Sequence, residues 1–167
     1  IEDEIASMIH ANDDTGLAKA RELGRGYRLD DARGRYIESL KSSFPKGATL
    51  SDLKIVVDCA NGAMSAVAPQ VFARLGIDAH VVNASPDGTN INVACGAAHP
   101  ENVAAIAREH ACDMAIAFDG DGDRLIAATN EGVVVDGDHL IALAALDLKS
   151  RDLLTNDAVV VTVMSNI

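Results

Sequence analysis

Short apolar segments of strand length alternate with longer segments of helical spacing over residues 54–148. Five apolar runs predict strands, the last two forming a hairpin: 54–59, 78–83, 114–118, 125–129 and 133–135. Three segments between or after them predict helices: 63–75, 101–110 and 138–148. Strands that alternate with helices imply right-handed crossovers between parallel strands. The pattern therefore predicts an α/β fold, a three-layer α/β/α domain with a mainly parallel sheet.

The pattern also predicts elements outside this alternating region. Helices are expected over 1–9 and about 30–43, separated by a break at 12–16 and a polar connector at 17–27. The second helix is expected to turn three side chains toward a core: Tyr36, Ile37 and Leu40. Residues 158–162 predict one more strand, and a final strand without its following helix suggests a piece of a longer protein.

Composition and charge narrow the class of protein. The 167 residues are 49% hydrophobic but only 3% aromatic, which indicates a core of Ala, Val, Ile and Leu. A net charge of −11 without a Lys/Arg run argues against a nucleic-acid partner. No apolar stretch reaches the roughly 18 residues that a membrane span needs. Three cysteines without a C-x-x-C pair favour a reducing compartment, and hence the cytoplasm: Cys59, Cys95 and Cys112.

The strongest chemical signal is Asp-Gly-Asp-Gly-Asp-Arg at residues 119–124. Two carboxylates held about 4 Å apart repel by about 4 kcal/mol at an effective dielectric constant of about 20, and a bound cation reverses that cost. Gly120 and Gly122 permit the backbone to curl around one ion. Oxygen ligands without Cys or His favour Mg²⁺ or Ca²⁺. The alternative is a solvated acidic turn.

The surroundings of this acidic loop support a binding site. Both flanking segments predict buried strands, and the loop follows the carboxyl end of one of them, where ligands bind in open α/β sheets. An EF-hand is excluded, because its Gly and Glu positions hold Arg124 and Asn130. The turn at 58–62 follows another strand and is expected at the same edge. Mg²⁺ suits three acids plus waters better than Ca²⁺ does.

Arg124 suggests that an anion belongs to the same site. A guanidinium gains nothing from a cation beside it, whereas its planar fork suits phosphate oxygens. The alternative is a salt bridge to one of the neighbouring aspartates. A metal ion and an arginine around a phosphate are the recurring components of phosphoryl transfer. Further along, Asp138 is expected to cap the last helix, with Asp136 as a turn residue.

These motifs together resemble the α-D-phosphohexomutase superfamily, specifically its second domain. Residues 119–124 match the superfamily's metal loop. Four other segments favour the phosphoglucosamine mutase branch over the phosphomannomutases and phosphoglucomutases: 24–38, 58–63, 87–92 and 136–138. The resemblance covers essentially the whole chain.

The resemblance implies a function and a set of site residues. Asp119, Asp121 and Asp123 would bind Mg²⁺, and Arg124 would support the phosphate during catalysis. The parent enzyme would be an isomerase that interconverts glucosamine 6-phosphate and glucosamine 1-phosphate through a phosphoserine and a bisphosphorylated sugar. A non-enzymatic metal-binding module remains the alternative from a different class.

The same resemblance implies a division into domains. Residues 1–28 would be the tail of the first domain, 29–151 the second domain and 152–167 the start of the third. The phosphoserine, the sugar-recognition loop and the phosphate-binding loop belong to the first, third and fourth domains. The chain alone is therefore expected to be inactive.

Overall fold

The computed structural model describes residues 1–11 and 16–165 in two compact units, Ile1–Ala32 and Arg33–Ile167. The first unit contains helix α1 (Glu2–Ala11), and all of its described side chains are exposed. Residues 17–31 carry no helix or strand, as the polar connector predicts. The predicted break at 12–16 lies outside the described residues apart from Gly16. None of the described helices is both long and apolar enough to cross a bilayer.

The second unit contains the α/β fold. Its α-helices are α2 (Ala32–Ser43), α3 (Ala68–Arg74), α4 (Pro100–Glu109) and α5 (Gly137–Ser150). Its strands are β1 (Lys54–Asp58), β2 (Asp78–Val82), β3 (Met114–Phe118), β4 (Leu125–Thr129) and β5 (Val134–Val135). Short 3₁₀ turns cover Ala63–Ala66, Gly96–Ala98 and Thr155–Asp157.

The five strands form one sheet in the order β2-β1-β3-β4-β5. Strand β1 pairs in parallel with both β2 and β3, and β3, β4 and β5 continue as antiparallel neighbours. The parallel part is the crossover sheet that the sequence predicts, and β4 with β5 is the predicted hairpin. The antiparallel pairing of β3 with β4 lies outside that prediction. Because β1, β2 and β3 run in one direction, the segments that follow them meet at one edge of the sheet.

Helices cover both faces of this sheet. Alternate side chains of a strand point to opposite faces, so Val56 packs against α4 while Ile55 and Val57 pack toward α3. On the α4 side, Val103 and Ala107 lie one helical turn apart and are fully buried. The predicted α/β/α layering is confirmed, with a small-residue core that matches the composition.

Three local expectations differ from the structure. Tyr36 is half exposed, so α2 turns Ile37 inward and leaves Tyr36 facing solvent. The predicted helix over 63–75 is split into a 3₁₀ turn and α3, because Pro69 lacks the N–H that would continue the turn and sits instead in the first turn of a new helix. Residues 158–162 form no strand, since no described strand pairs with them, and their side chains are exposed.

Candidate metal and phosphate site

The acidic loop leaves the carboxyl end of β3 and brings its three aspartates together. One carboxylate oxygen from each of Asp119, Asp121 and Asp123 lies within 4.8 Å of the others. Asp119 is buried, with 4% of its surface exposed, whereas Asp121 and Asp123 face solvent. The loop curls through Gly122, which has a positive φ of 78°, and the Gly122 N–H donates to the Asp119 carbonyl at 3.1 Å.

Arg124 pairs with Asp119, which is the second of the two arrangements the sequence leaves open. Its Nε and Nη2 donate to Asp119 Oδ2 at 3.0 and 2.7 Å, and its backbone N–H donates to Oδ1 at 3.1 Å. Arg124 Nε also lies 3.4 Å from Asp123 Oδ1. Since 76% of the Arg124 side chain is exposed, the guanidinium remains open to a ligand arriving from solvent.

The carboxylates perturb one another's protonation in opposite directions. Burial raises the pKa of Asp119, but hydrogen bonds from the backbone N–H and the guanidinium of Arg124 outweigh burial and lower that pKa to about 2. Contact with the Asp119 carboxyl, followed by the charge of Asp121, raises the pKa of Asp123. The cluster therefore concentrates negative charge that a cation relieves.

Two glycines allow the acidic loop to lie directly on the turn that follows β1. A Cβ on Gly62 would lie 2.1 Å from the Gly120 carbonyl oxygen, and a Cβ on Gly120 would lie 2.7 Å from both Ile91 and Asn92. The Ala63 N–H donates to that same Gly120 oxygen at 2.8 Å. The predicted meeting of the 58–62 turn and the acidic loop at one edge is therefore present as a backbone contact.

Asp58 is a functional candidate that emerges from the structure and not from the sequence pattern. It ends β1, is completely buried, and accepts hydrogen bonds from the backbone N–H groups of Ala60 and Gly96, both at 2.8 Å. In the sequence it is an acid at the end of an apolar run and the first residue of the 58–63 segment, and neither feature assigns it a role. Its second hydrogen-bond partner, Gly96, lies 38 residues away, so the spacing of residues in the sequence does not reveal the contact.

The acidic loop lies between two segments, the turn that follows β1 and the long loop between β2 and α4. A cavity of about 200 Å³ lies between this loop and the acidic loop, lined by Asn92, Ala97, Ala98, Asp119, Arg124 and Ile126. Within the 87–92 segment, only the end reaches the acidic loop. Asp87 instead accepts hydrogen bonds from the N–H groups of Thr89 and Asn90, which makes a separate exposed turn.

Comparison with known proteins places this architecture in a family. Residues 34–132 match the family described as phosphoglucomutase/phosphomannomutase, alpha/beta/alpha domain II. Among solved structures, a phosphoglucomutase/phosphomannomutase family protein from Burkholderia thailandensis superposes with a TM-score of 0.71 at 30% identity, over 90% of this chain and 32% of that one. The chain belongs to the phosphoglucomutase/phosphomannomutase family, and the resemblance seen in the sequence is confirmed.

Individual relatives point to one branch of that family. The phosphoglucosamine mutase of Caulobacter vibrioides is 50% identical over 152 residues, which are 91% of this chain and 34% of the relative. That of Geotalea daltonii is 47% identical over 163 residues, which are 97% of this chain and 36% of the relative. The chain thus spans about a third of the length of the curated relatives it matches.

Proposed function

We propose that this chain is the metal-binding second domain of a phosphosugar mutase that interconverts glucosamine 6-phosphate and glucosamine 1-phosphate. The observation that carries the proposal is the convergence of Asp119, Asp121 and Asp123 at the carboxyl end of β3, in the parallel part of the sheet, with Arg124 beside them. The names of the relatives favour glucosamine phosphate over other hexose phosphates as the substrate.

The donor set fits Mg²⁺. It offers carboxylate oxygens only, and Asp121 and Asp123 are exposed, which leaves room for the waters that Mg²⁺ retains. Asp119 is held by Arg124, yet each carboxylate oxygen has a further lone pair for a cation. Bound Mg²⁺ supplies neutralisation of the charge on a transferring phosphoryl group. Arg124 orients the phosphate through its exposed guanidinium edge, and Asp119 fixes the position of that guanidinium.

The remaining assignments follow from the same proposal. Residues 29–151 form the second domain of the mutase, with 1–28 from the first domain and 152–167 from the third. The phosphoryl group passes between the sugar and a phosphoserine of the first domain, through a bisphosphorylated sugar. Three buried, unpaired cysteines agree with a cytoplasmic location.

The metal assignment predicts a loop-specific response to Mg²⁺. A cation that binds only the folded loop stabilises it by RT ln(1 + [Mg²⁺]/Kd), which is roughly 1.8 kcal/mol at about twenty times Kd. We expect a Kd no tighter than about 1 mM, because Mg²⁺ dehydrates reluctantly and the phosphoserine lies elsewhere. Melting curves with and without excess Mg²⁺ measure the effect.

Asp121→Asn is the matched control for this measurement. It should remove most of the Mg²⁺ response, and it should raise the metal-free melting temperature by relieving repulsion among the three acids. An equal response of the wild type and Asp121→Asn would mean that Mg²⁺ acts on the overall charge of −11, and the metal assignment would then be wrong.

The catalytic assignment predicts that residues 1–167 alone do not turn over glucosamine phosphate, because the proposal places the phosphoserine and the sugar-binding loops in other domains. In the complete enzyme, Asp121→Ala should lower kcat by about 10²–10³-fold with little change in melting temperature, because its exposed side chain acts on developing charge rather than on packing. A coupled assay for glucosamine 1-phosphate measures both. Turnover by the isolated chain would contradict the division of roles.

A further inference from the structure

We propose that Asp58 is a positioning residue that holds the acidic loop in its metal-binding shape, an inference that rests on the proposed function and deepens it. Asp58 touches neither the aspartates of the loop nor Arg124 through any hydrogen bond. Its two partners among the described residues are backbone N–H groups of two different loops.

The first of these bonds fixes the turn that follows β1. The Ala60 N–H donates to Asp58 Oδ1 at 2.8 Å, and Ala60 and Asn61 have φ values of 52° and 48°. A left-handed backbone conformation at two consecutive non-glycine residues is disfavoured unless surrounding contacts impose it. The buried carboxylate supplies such a contact, and this turn delivers Gly62 to the acidic loop.

The second bond fixes the long loop. The Gly96 N–H donates to Asp58 Oδ2 at 2.8 Å, and a Cβ on Gly96 would lie 2.6 Å from the Phe118 carbonyl oxygen. Further back in the same loop, the Asn92 N–H donates to the Ala60 carbonyl at 3.0 Å. One carboxylate therefore ties the turn after β1 and the loop after β2 to each other.

The acidic loop lies between the two segments that Asp58 ties together. Gly120 contacts Gly62 on one side and Ile91 and Asn92 on the other, too closely to admit a Cβ on either glycine. If the hydrogen bonds to Asp58 are lost, the turn after β1 and the loop after β2 are free to separate. Gly120 then loses the contacts that position the backbone of Asp119 and Asp121. Asp58 therefore positions the three aspartates indirectly, through the two segments on either side of the acidic loop.

The test compares Asp58→Asn with Val103→Ala in the metal-free chain, using amide hydrogen exchange. Asn has nearly the same size, but its single side-chain oxygen replaces only one of the two acceptors, whereas Val103 is equally buried and lies on the inner face of α4. We expect Asp58→Asn to speed exchange at the amides of Ala63 and Gly122 by about tenfold or more. The reason is that an unpaired buried N–H destabilises the turn after β1 or the loop after β2, which hold the acidic loop. Val103→Ala should leave these amides unchanged at a comparable loss of melting temperature.

Mg²⁺ titration gives a readout that a merely structural role would not move. Asp58→Asn should weaken the apparent Kd for Mg²⁺ by about tenfold, because the acids no longer converge without reorganisation, while Val103→Ala retains the wild-type Kd. Equal exchange at Ala63 and Gly122 in the two variants, or faster exchange with an unchanged Kd, overturns the inference. If the wild type and Asp121→Asn respond to Mg²⁺ alike, the metal assignment fails and the exchange comparison alone decides the role of Asp58.

A measurement on the wild type keeps the inference testable if Asp58→Asn does not fold. The Gly96 and Ala60 amides should then exchange as slowly as the core amide of Val57, because their bonds to Asp58 open only with the fold. Exchange at Gly96 as fast as at Thr89, in the exposed turn, would overturn the anchoring role.

Discussion

Gly62 shows at the scale of one residue how a contact between distant segments constrains the site. Its φ of −112° is open to any residue, so its backbone conformation does not demand glycine. The constraint comes from Gly120, whose carbonyl oxygen occupies the space of a side chain. Such a requirement depends on a contact between distant segments, and it is invisible in the local sequence.

Replacing Gly62 by Ala should therefore destabilise the chain by about 1–3 kcal/mol, because two backbones must separate to admit a methyl group. Gly34→Ala provides the control. Gly34 lies within α2 with nothing within 4 Å of its would-be Cβ, so alanine there should stabilise the chain by about 0.5–1 kcal/mol. Urea unfolding of both variants measures the change in the free energy of unfolding. If Gly62→Ala is as stable as the wild type, the proposed close contact with Gly120 is wrong.

At the residue scale, the convergence of the acidic loop could be predicted from the sequence, whereas contacts between distant loops could not. The three aspartates lie two residues apart with glycines between them, so their convergence needs only a curled loop. Whether Arg124 meets a phosphate or Asp119 could not be decided from its position, because both partners are within reach of one guanidinium. The role of Asp58 cannot be read from the sequence, because Gly96, its second partner, lies in another loop.

At the scale of elements, the start of α5 illustrates a small error with a clear cause. The sequence predicts Asp138 as the cap, but the helix starts at Gly137 and Asp136 accepts a hydrogen bond from the His139 N–H at 3.0 Å. Asp136 and Asp138 lie on either side of Gly137 and fit the same capping pattern, so only the backbone distinguishes them. Strand positions were easier to predict, because apolar runs bounded by turns leave fewer choices.

Asp136→Ala should lower the melting temperature by about 2–5 °C at neutral pH, through loss of the cap. Asp136→Ser, which retains an oxygen acceptor, should restore most of it. The hydrogen bonds from His139 lower the pKa of Asp136, so the cap contributes above the ordinary pKa of an aspartate and is lost as the pH falls through the lowered value. A difference between the wild type and Asp136→Ala that grows as the pH falls below the ordinary pKa of an aspartate would contradict the assignment.

At the scale of the whole molecule, the layered sheet could be predicted from the sequence, but the solvent exposure of helix α5 could not. Periodicity shows that α5 has apolar positions, and the structure shows that none of its side chains is fully buried. Leu143 and Leu146 are both 66% exposed, and Ile141 is 42% exposed. Composition cannot reveal this, because exposed and buried leucines look alike in a sequence.

The exposed apolar face of α5 should bind hydrophobic dyes and promote self-association of the chain at high concentration. Leu143→Gln combined with Leu146→Gln should reduce dye fluorescence and sedimentation-detected association without lowering the melting temperature. Leu140→Gln on the same helix is the control, since Leu140 packs against the core and its replacement should destabilise the fold. Unchanged dye binding in the double variant would place the apolar surface elsewhere.

The pairing of β1 with β3 also has a consequence for the order in which the protein takes shape. Asp58 lies opposite Ala117, and β2 and α4 are both made between them. At a synthesis rate of about 5–20 residues per second, roughly 3–12 s separate the appearance of the two partners on a growing chain. During that interval β1 lacks its β3 neighbour, and β2 is the one sheet partner that is synthesised. The acidic loop follows β3, so it is synthesised after the two segments that it contacts, the turn after β1 and the loop after β2.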